Sequence, residues 1–227
     1  MDIPDLHPWN VTPEEAIKIQ KCLKDRVILK KIDGKIKYIS GLDVSYAKGG
    51  NTVWAGVVVL DFPSLEKIEE GWTQKKVSFP YIPGLLSFRE APALLDVLRK
   101  IEAEPDLIFC DGQGIAHPRG LGIASHLGVL LNKPTIGCAK SRLVGEFNPV
   151  GEDRGEYVYL RYQNRVIGAV VRTRSRVKPI FISPGYGVML KDCIRFVLET
   201  CPTYRIPEPT RQAHLLVNSV RCDGVRS

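Results

Sequence analysis

Leu107-Ile108-Phe109-Cys110-Asp111-Gly112 is the stretch whose reading decides the fold. Four apolar residues follow one another without alternation and stop at an Asp-Gly turn, as a strand covered on both faces of a parallel sheet does. Residues 121–131 then read as a helix and residues 134–139 as another strand. Strand, helix, strand is the pattern of a right-handed parallel crossover, so the class expected is mixed α/β. Working outward, Ser87-Phe88-Arg89-Glu90 opens a helix whose apolar residues Phe88, Ala91, Leu94, Leu95, Leu98 and Ile101 recur at helical spacing. Before it lie three strand-like runs at residues 38–46, 52–60 and 66–77, the first two joined across Lys48-Gly49-Gly50-Asn51, and an amphipathic helix with the start signal Thr12-Pro13-Glu14-Glu15. After the crossover, residues 157–162 and 166–171 pair as a hairpin around Gln163-Asn164-Arg165, and helices near 188–200 and 210–220 close the chain.

The chain has 227 residues, 44% hydrophobic and 25% charged, with a net charge of +7. These are ordinary globular values, which exclude disordered, collagen-like and coiled-coil classes, and no repeat or linker forces a boundary, so residues 1–227 read as one domain. The basic surplus favours a polyanionic partner, nucleic acid first. Met1-Asp2-Ile3-Pro4-Asp5 lacks the basic and apolar regions of a secretory signal, and apolar runs such as 55–60 and 166–171 fall far short of the roughly 20 residues that span a bilayer. Cys22, Cys110, Cys138, Cys193, Cys201 and Cys222 form no Cys-x-x-Cys pair and read as reduced, buried thiols. A cytoplasmic protein without membrane attachment is expected.

Three carboxylates stand out. Asp43 interrupts a strand whose neighbours Leu42 and Val44 face the other way, Asp111 ends a buried strand at the carboxyl edge where open α/β sheets gather ligands, and Glu90 borders the core-facing stripe of its helix. If they converge, they repel one another unless a cation intervenes, and all-oxygen ligation favours magnesium or manganese over zinc. Each also has a plain structural explanation: a capping box Ser87-x-x-Glu90, an Asp-Gly turn, and a buried acid held by backbone donors at Asp43.

The run Asp111-Gly112-Gln113-Gly114-Ile115-Ala116-His117-Pro118-Arg119-Gly120-Leu121-Gly122, with Gly41-Leu42-Asp43-Val44-Ser45-Tyr46 and Pro80-Tyr81-Ile82-Pro83-Gly84, resembles the endonuclease V family of deoxyinosine-specific repair nucleases. Ser87-Phe88-Arg89-Glu90, Pro134-Thr135-Ile136-Gly137-Cys138-Ala139-Lys140-Ser141 and Ile182-Ser183-Pro184-Gly185 continue the match in the family's order. The resemblance implies a ribonuclease H-like fold, a central five-stranded mixed sheet flanked by helices, with the hairpin as an addition. It implies that Asp43 and Asp111 are the metal-binding pair, Glu90 the third active-site carboxylate, and Lys140 and His214 auxiliary catalytic residues. On the residues alone, Lys140 also fits a solvated strand-end lysine and His214 a satisfied core histidine.

Tyr81, set between two prolines, presents an aromatic ring on a stiff loop, as a base-stack wedge or as a core anchor. The resemblance assigns Pro80, Tyr81, Ile82 and Pro83 to the wedge that holds the gap left by an everted nucleotide. The pocket for that base is expected around Gly84, Leu86, Gly112, Gly114, His117, Gly122 and Ile123, with glycines that let backbone groups approach and Leu86 and Ile123 packing the base faces. Ordinary turns use glycines too. Arg172, Arg174, Arg176 and Lys178 read either as a phosphate-contacting strip or as a solvated loop. Gly112-Gln113-Gly114 has His117 where a dinucleotide fingerprint has its third glycine, which argues against nicotinamide binding.

The three acids suit magnesium-dependent phosphodiester hydrolysis, with manganese as a substitute, and the resemblance implies that the bond cut is the second one 3′ to deoxyinosine, leaving 3′-hydroxyl and 5′-phosphate ends. DNA containing deoxyinosine is the expected partner, inosine-containing RNA an alternative, and a monomer the expected state. The competing readings are an inosine-binding module that does not cut, an inosine-specific ribonuclease, and a magnesium-dependent phosphatase or sugar kinase on the same general fold.

Overall fold

The computed structural model describes residues 3–47 and 51–224. The turn expected at Lys48-Gly49-Gly50 lies outside the described residues. Thr12 caps the first helix, α1 (Pro13–Lys24), in a capping box: its hydroxyl accepts from the Glu15 amide and its own amide donates to the Glu15 carboxylate at 2.8 Å. Strands β1 (Tyr38–Tyr46), β2 (Thr52–Asp61) and β3 (Lys67–Lys76) then form an antiparallel ribbon. Helix α2 (Leu86–Leu98) leads to β4 (Leu107–Cys110), and α3 (Ile123–Leu131) to β5 (Thr135–Ala139), with β4 parallel to both β1 and β5.

The expected five-stranded sheet is corrected here. Among the described residues there is one sheet of eight strands in the order β3-β2-β1-β4-β5-β8-β7-β6, where β6 is Tyr157–Tyr162, β7 Arg165–Val171 and β8 Ile180–Tyr186. The hairpin β6–β7 is part of that sheet, because β8 pairs antiparallel with β5 on one side and with β7 on the other. Pro184 and Gly185 disguise β8 in the sequence. Both residues disfavour regular strands, and the register between β5 and β8 shifts at Thr135/Ile136, beside the partner of Pro184.

Residue alternation along β4 shows why its sequence does not alternate in polarity. Ile108 and Cys110 pack with Leu94, Leu98 and Leu127 beneath α2 and α3, whereas Leu107 and Phe109 pack on the opposite face. That second face is covered by α4 (Leu190–Glu199) and α5 (Glu208–Gly224), through Phe196, Val197 and Ala213 among others. With helices on both faces, all four β4 side chains are buried, and the ligand-accessible positions are left to the strand ends. No helix among the described residues is long and apolar enough to cross a membrane. All six cysteines are free, but Cys22 and Cys222 are exposed, so burial holds only for the other four.

Candidate active site

Parallel pairing of β1 and β4 puts Leu42 opposite Cys110, and the Asp111 amide donates to the Leu42 carbonyl at 3.3 Å. Asp43 and Asp111 therefore follow directly on neighbouring strand positions, about 5 Å apart in the pairing direction. Glu90 reaches them from α2, and the three acids line one cavity of about 220 Å³ together with Leu42, Val44, Leu94, Cys110 and Ile123. Ser87 does not cap α2, which begins at Leu86 after Leu85. The capping box expected there is absent: the Ser87 hydroxyl lies 3.0 Å from His126 Nδ1, and Glu90 instead accepts from the Tyr46 hydroxyl at 2.7 Å.

Burial in this cavity raises the Asp43 pKa above the usual carboxylate range, and the charge of Asp111 pushes it further the same way. Burial pushes Glu90 up to about 8, against the opposing hydrogen bond from Tyr46. Two basic residues, Lys140 and His214, approach the acids. Lys140, just past β5, places Nζ 2.5 Å from Asp111 Oδ2. His214 of α5 places Nδ1 2.7 Å from Asp43 Oδ2, while its Nε2 is 3.0 Å from Asn218 Nδ2. Asn218 can only donate from that atom, so Nε2 accepts and Nδ1 carries the proton given to Asp43. His214 is thus an exposed, oriented side chain and not a core histidine.

A larger cavity of about 360 Å³ adjoins this one, and both include Asp111 and Ile123 in their walls. The wall of the larger cavity includes Tyr81, Ile82, Pro83, Gly84 and Leu86 from one segment and Gly112, His117, Gly122 and Ile123 from another. Tyr81 is 70% exposed at the rim, so it is no core anchor. Gly84 has φ +82°, which a side chain rarely adopts, and a Cβ there would meet Arg119 Nη2 at 2.8 Å. His117 donates from Nε2 to the Gly84 carbonyl at 2.9 Å and accepts from the Arg119 amide through Nδ1, and burial drops its pKa to about 4, so it stays neutral.

Among solved structures, endonuclease V from Streptomyces avermitilis superposes with a TM-score of 0.91 at 41% identity, covering 98% of both chains. The family model for Endonuclease V matches residues 21–215. The chain belongs to the Endonuclease V family. Endonuclease V from Trichormus variabilis is 49% identical over 220 residues, 96% of this chain and all of that protein. A Ciona intestinalis Endonuclease V, solved with a 23mer DNA containing an inosine followed by a ribo-adenosine, superposes with a TM-score of 0.83 at 32% identity, covering 92% of this chain and 98% of its own. Members of the Endonuclease V family are nucleases, and the chain is accordingly a phosphodiester hydrolase.

Of the residues expected at the wedge and the pocket, Gly114 and Pro80 are not in the wall of the larger cavity. The Gly114 amide donates to the Ser183 hydroxyl at 2.8 Å and its Cα abuts the Pro184 carbonyl, so this glycine serves the close approach of the loop to β8. Pro80 is exposed but lies outside the cavity wall. Arg172 is no free phosphate contact, because its guanidinium donates to the carbonyls of Val150, Gly151 and Val177. Gln20, Arg142 and Leu143 line the cavity without any sequence signal, and Gln113 and Ser141 fall within the quoted motifs but were not singled out. Gln20 reads as an ordinary polar position of an amphipathic helix, and Asn218 could be found only as the residue one turn after His214.

Proposed function

We propose that this chain is a DNA repair endonuclease directed at deoxyinosine, cutting the second phosphodiester bond on its 3′ side and leaving 3′-hydroxyl and 5′-phosphate ends. The observation that carries the reading is the shared wall at Asp111 and Ile123: a cluster of acids opens directly beside a cavity edged by an exposed tyrosine. A base everted into the larger cavity would leave its own strand running past the carboxylates. The inosine-containing DNA bound by the Ciona intestinalis protein supports the same substrate class.

Asp43 and Asp111 would hold magnesium, or manganese in its place, with Glu90 beside them. The donor chemistry fits: three oxygen ligands crowd one cavity, and burial plus mutual repulsion leave Asp43 and Glu90 short of compensating positive charge. Among the described residues no group of three or more His, Cys, Asp or Glu side chains is gathered closely enough to hold a metal ion by itself, so the assignment rests on Asp43 and Asp111 as the pair, with the remaining positions left to water and phosphate oxygens. A bound divalent ion there supplies activation of water and neutralisation of charge at phosphorus. Lys140 lies where its ammonium meets the phosphate or leaving oxygen. His214, held by Asn218, orients the Asp43 carboxylate. Tyr81 with Pro80, Ile82 and Pro83 fills the gap in the base stack, and Leu86 and Ile123 flank the base.

The order β3-β2-β1-β4-β5, antiparallel and then parallel, supports a ribonuclease H-like core to which the other three strands are added. We further propose a single domain acting as a cytoplasmic monomer. An RNA-directed activity is the second reading, favoured by the ribo-adenosine after the inosine in the Ciona intestinalis complex. Incubation with matched inosine and adenosine oligonucleotides, as DNA and as RNA, with magnesium or a chelator, tests both. Nicking that is independent of inosine or survives chelation would sink the proposal, and fragment mapping locates the cut.

A further inference from the structure

The deepest polar side chain facing the larger cavity comes from α1, far in sequence from the acids. Gln20 is 1% exposed, and the other buried residues of α1 are the apolar Ala16 and Leu23. Burying a carboxamide costs free energy unless its hydrogen bonds are made, and here they are. Nε2 donates to the Gly84 carbonyl at 3.0 Å and to the Leu121 carbonyl at 3.2 Å. Oε1 accepts from Arg119 Nε at 2.5 Å. Arg119 has no acceptor atom, so the amide orientation follows from its partners.

Gly84 lines the cavity, whereas Leu121 is fully buried behind it. Gly84 ends the loop that carries Tyr81, and Leu121 immediately precedes the lining residues Gly122 and Ile123. A single amide therefore ties the segment ending at Gly84 to the segment entering Gly122. Arg119 Nη2 and His117 Nε2 also donate to the Gly84 carbonyl, at 2.6 and 2.9 Å. That carbonyl is consequently saturated and turned away from any ligand.

We propose that Gln20 is a positioning residue for base selection: it fixes the gap between the Gly84 and Gly122 walls to the width of the base it admits. The inference rests on the larger cavity being the base pocket. Purines that differ at positions two and six by one donor or acceptor are told apart by backbone groups only if those groups are held in place to a fraction of an ångström. Gln20 acts through the two carbonyls and Arg119, and both of its amide hydrogens are already engaged.

The test compares wild type with Gln20→Leu, which removes all three bonds at similar volume, and Gln20→Glu, which keeps an acceptor for Arg119 but loses both donors. Nicking of duplexes carrying a single inosine, guanine or adenine at the same position is measured, with kcat and KM separated, alongside Tm. Both variants are expected to lose at least tenfold of the inosine preference, mainly through KM, and Gln20→Glu gives that result even if Gln20→Leu does not fold. A wild-type preference retained in the variants, whatever their Tm, overturns the inference and leaves Gln20 as a stability residue. Absence of preference in wild type itself instead sinks the base-pocket reading, and this inference with it.

Discussion

Asp43 and Asp111 stand side by side because the residues before them, Leu42 and Cys110, are register partners on parallel strands. The pairing forces two acids to one point of the sheet edge, and burial holds Asp43 above its usual pKa. Relieving that repulsion should stabilise the metal-free protein. Asp43→Asn is expected to raise metal-free stability by about 1 kcal/mol, as substitutions at strained functional sites do. The same variant, and Asp111→Asn, should abolish nicking while inosine-containing strands remain bound. Urea unfolding without metal, gel-shift and nicking assays read the three effects, and persistent nicking by either variant would reject the metal assignment.

Magnesium should stabilise the wild-type protein in proportion to its binding, by RT ln(1 + [L]/Kd), or about 2.7 kcal/mol at a hundredfold excess over Kd. Asp43→Asn and Asp111→Asn should show little of that gain. Thermal melts across a magnesium titration check it, and an equal rise in all three proteins would mean the ion binds elsewhere.

Lys140 is half-exposed and its ion pair with Asp111 is partly solvated, so removing it costs little stability. Lys140→Met should leave Tm nearly unchanged and lower the nicking rate about 10²- to 10³-fold, the usual effect of losing one electrostatic contact to developing charge. A rate within threefold of wild type would count against any role at the phosphate.

Tyr81 touches solvent over most of its surface, so Tyr81→Ala should fold as wild type. Loss of one base–aromatic contact, about 1 to 3 kcal/mol, predicts inosine-DNA binding weaker by roughly ten- to a hundredfold. Titration calorimetry or fluorescence anisotropy measures it directly.

His126 of α3 is fully buried against His7, with their Nε2 atoms 2.7 Å apart, so one ring donates and the other accepts. Burial first, and then the proximity of His7, drop the His126 pKa from 6.5 to about 3. The unfolded chain binds the proton that the folded chain excludes, so stability is full above the unfolded pKa and is lost as pH falls below it. Acidification from the unfolded pKa to about pH 5 should cost about 2 kcal/mol from this residue. His126→Gln should flatten the dependence, as urea midpoints at several pH values will show.

Local signals in the chain were enough for every described element but β8 and for singling out the three acids. The unalternating run 107–110, the Thr12 box and the hairpin at 157–171 are readable because burial on both faces, capping and turn chemistry act over a few residues. That Asp43 lies within a strand and Asp111 just past the end of one is legible for the same reason. The eight-strand sheet was not, since β8 carries Pro184 and Gly185 and owes its place to partners on β5 and β7. Nor could the sequence distinguish Ser87 as a cap from Ser87 as a partner of His126, or show that Gln20, Gly84, Leu121 and Arg119 meet. Those contacts join segments tens of residues apart, and only packing of the helices against the finished sheet decides which buried polar groups find one another.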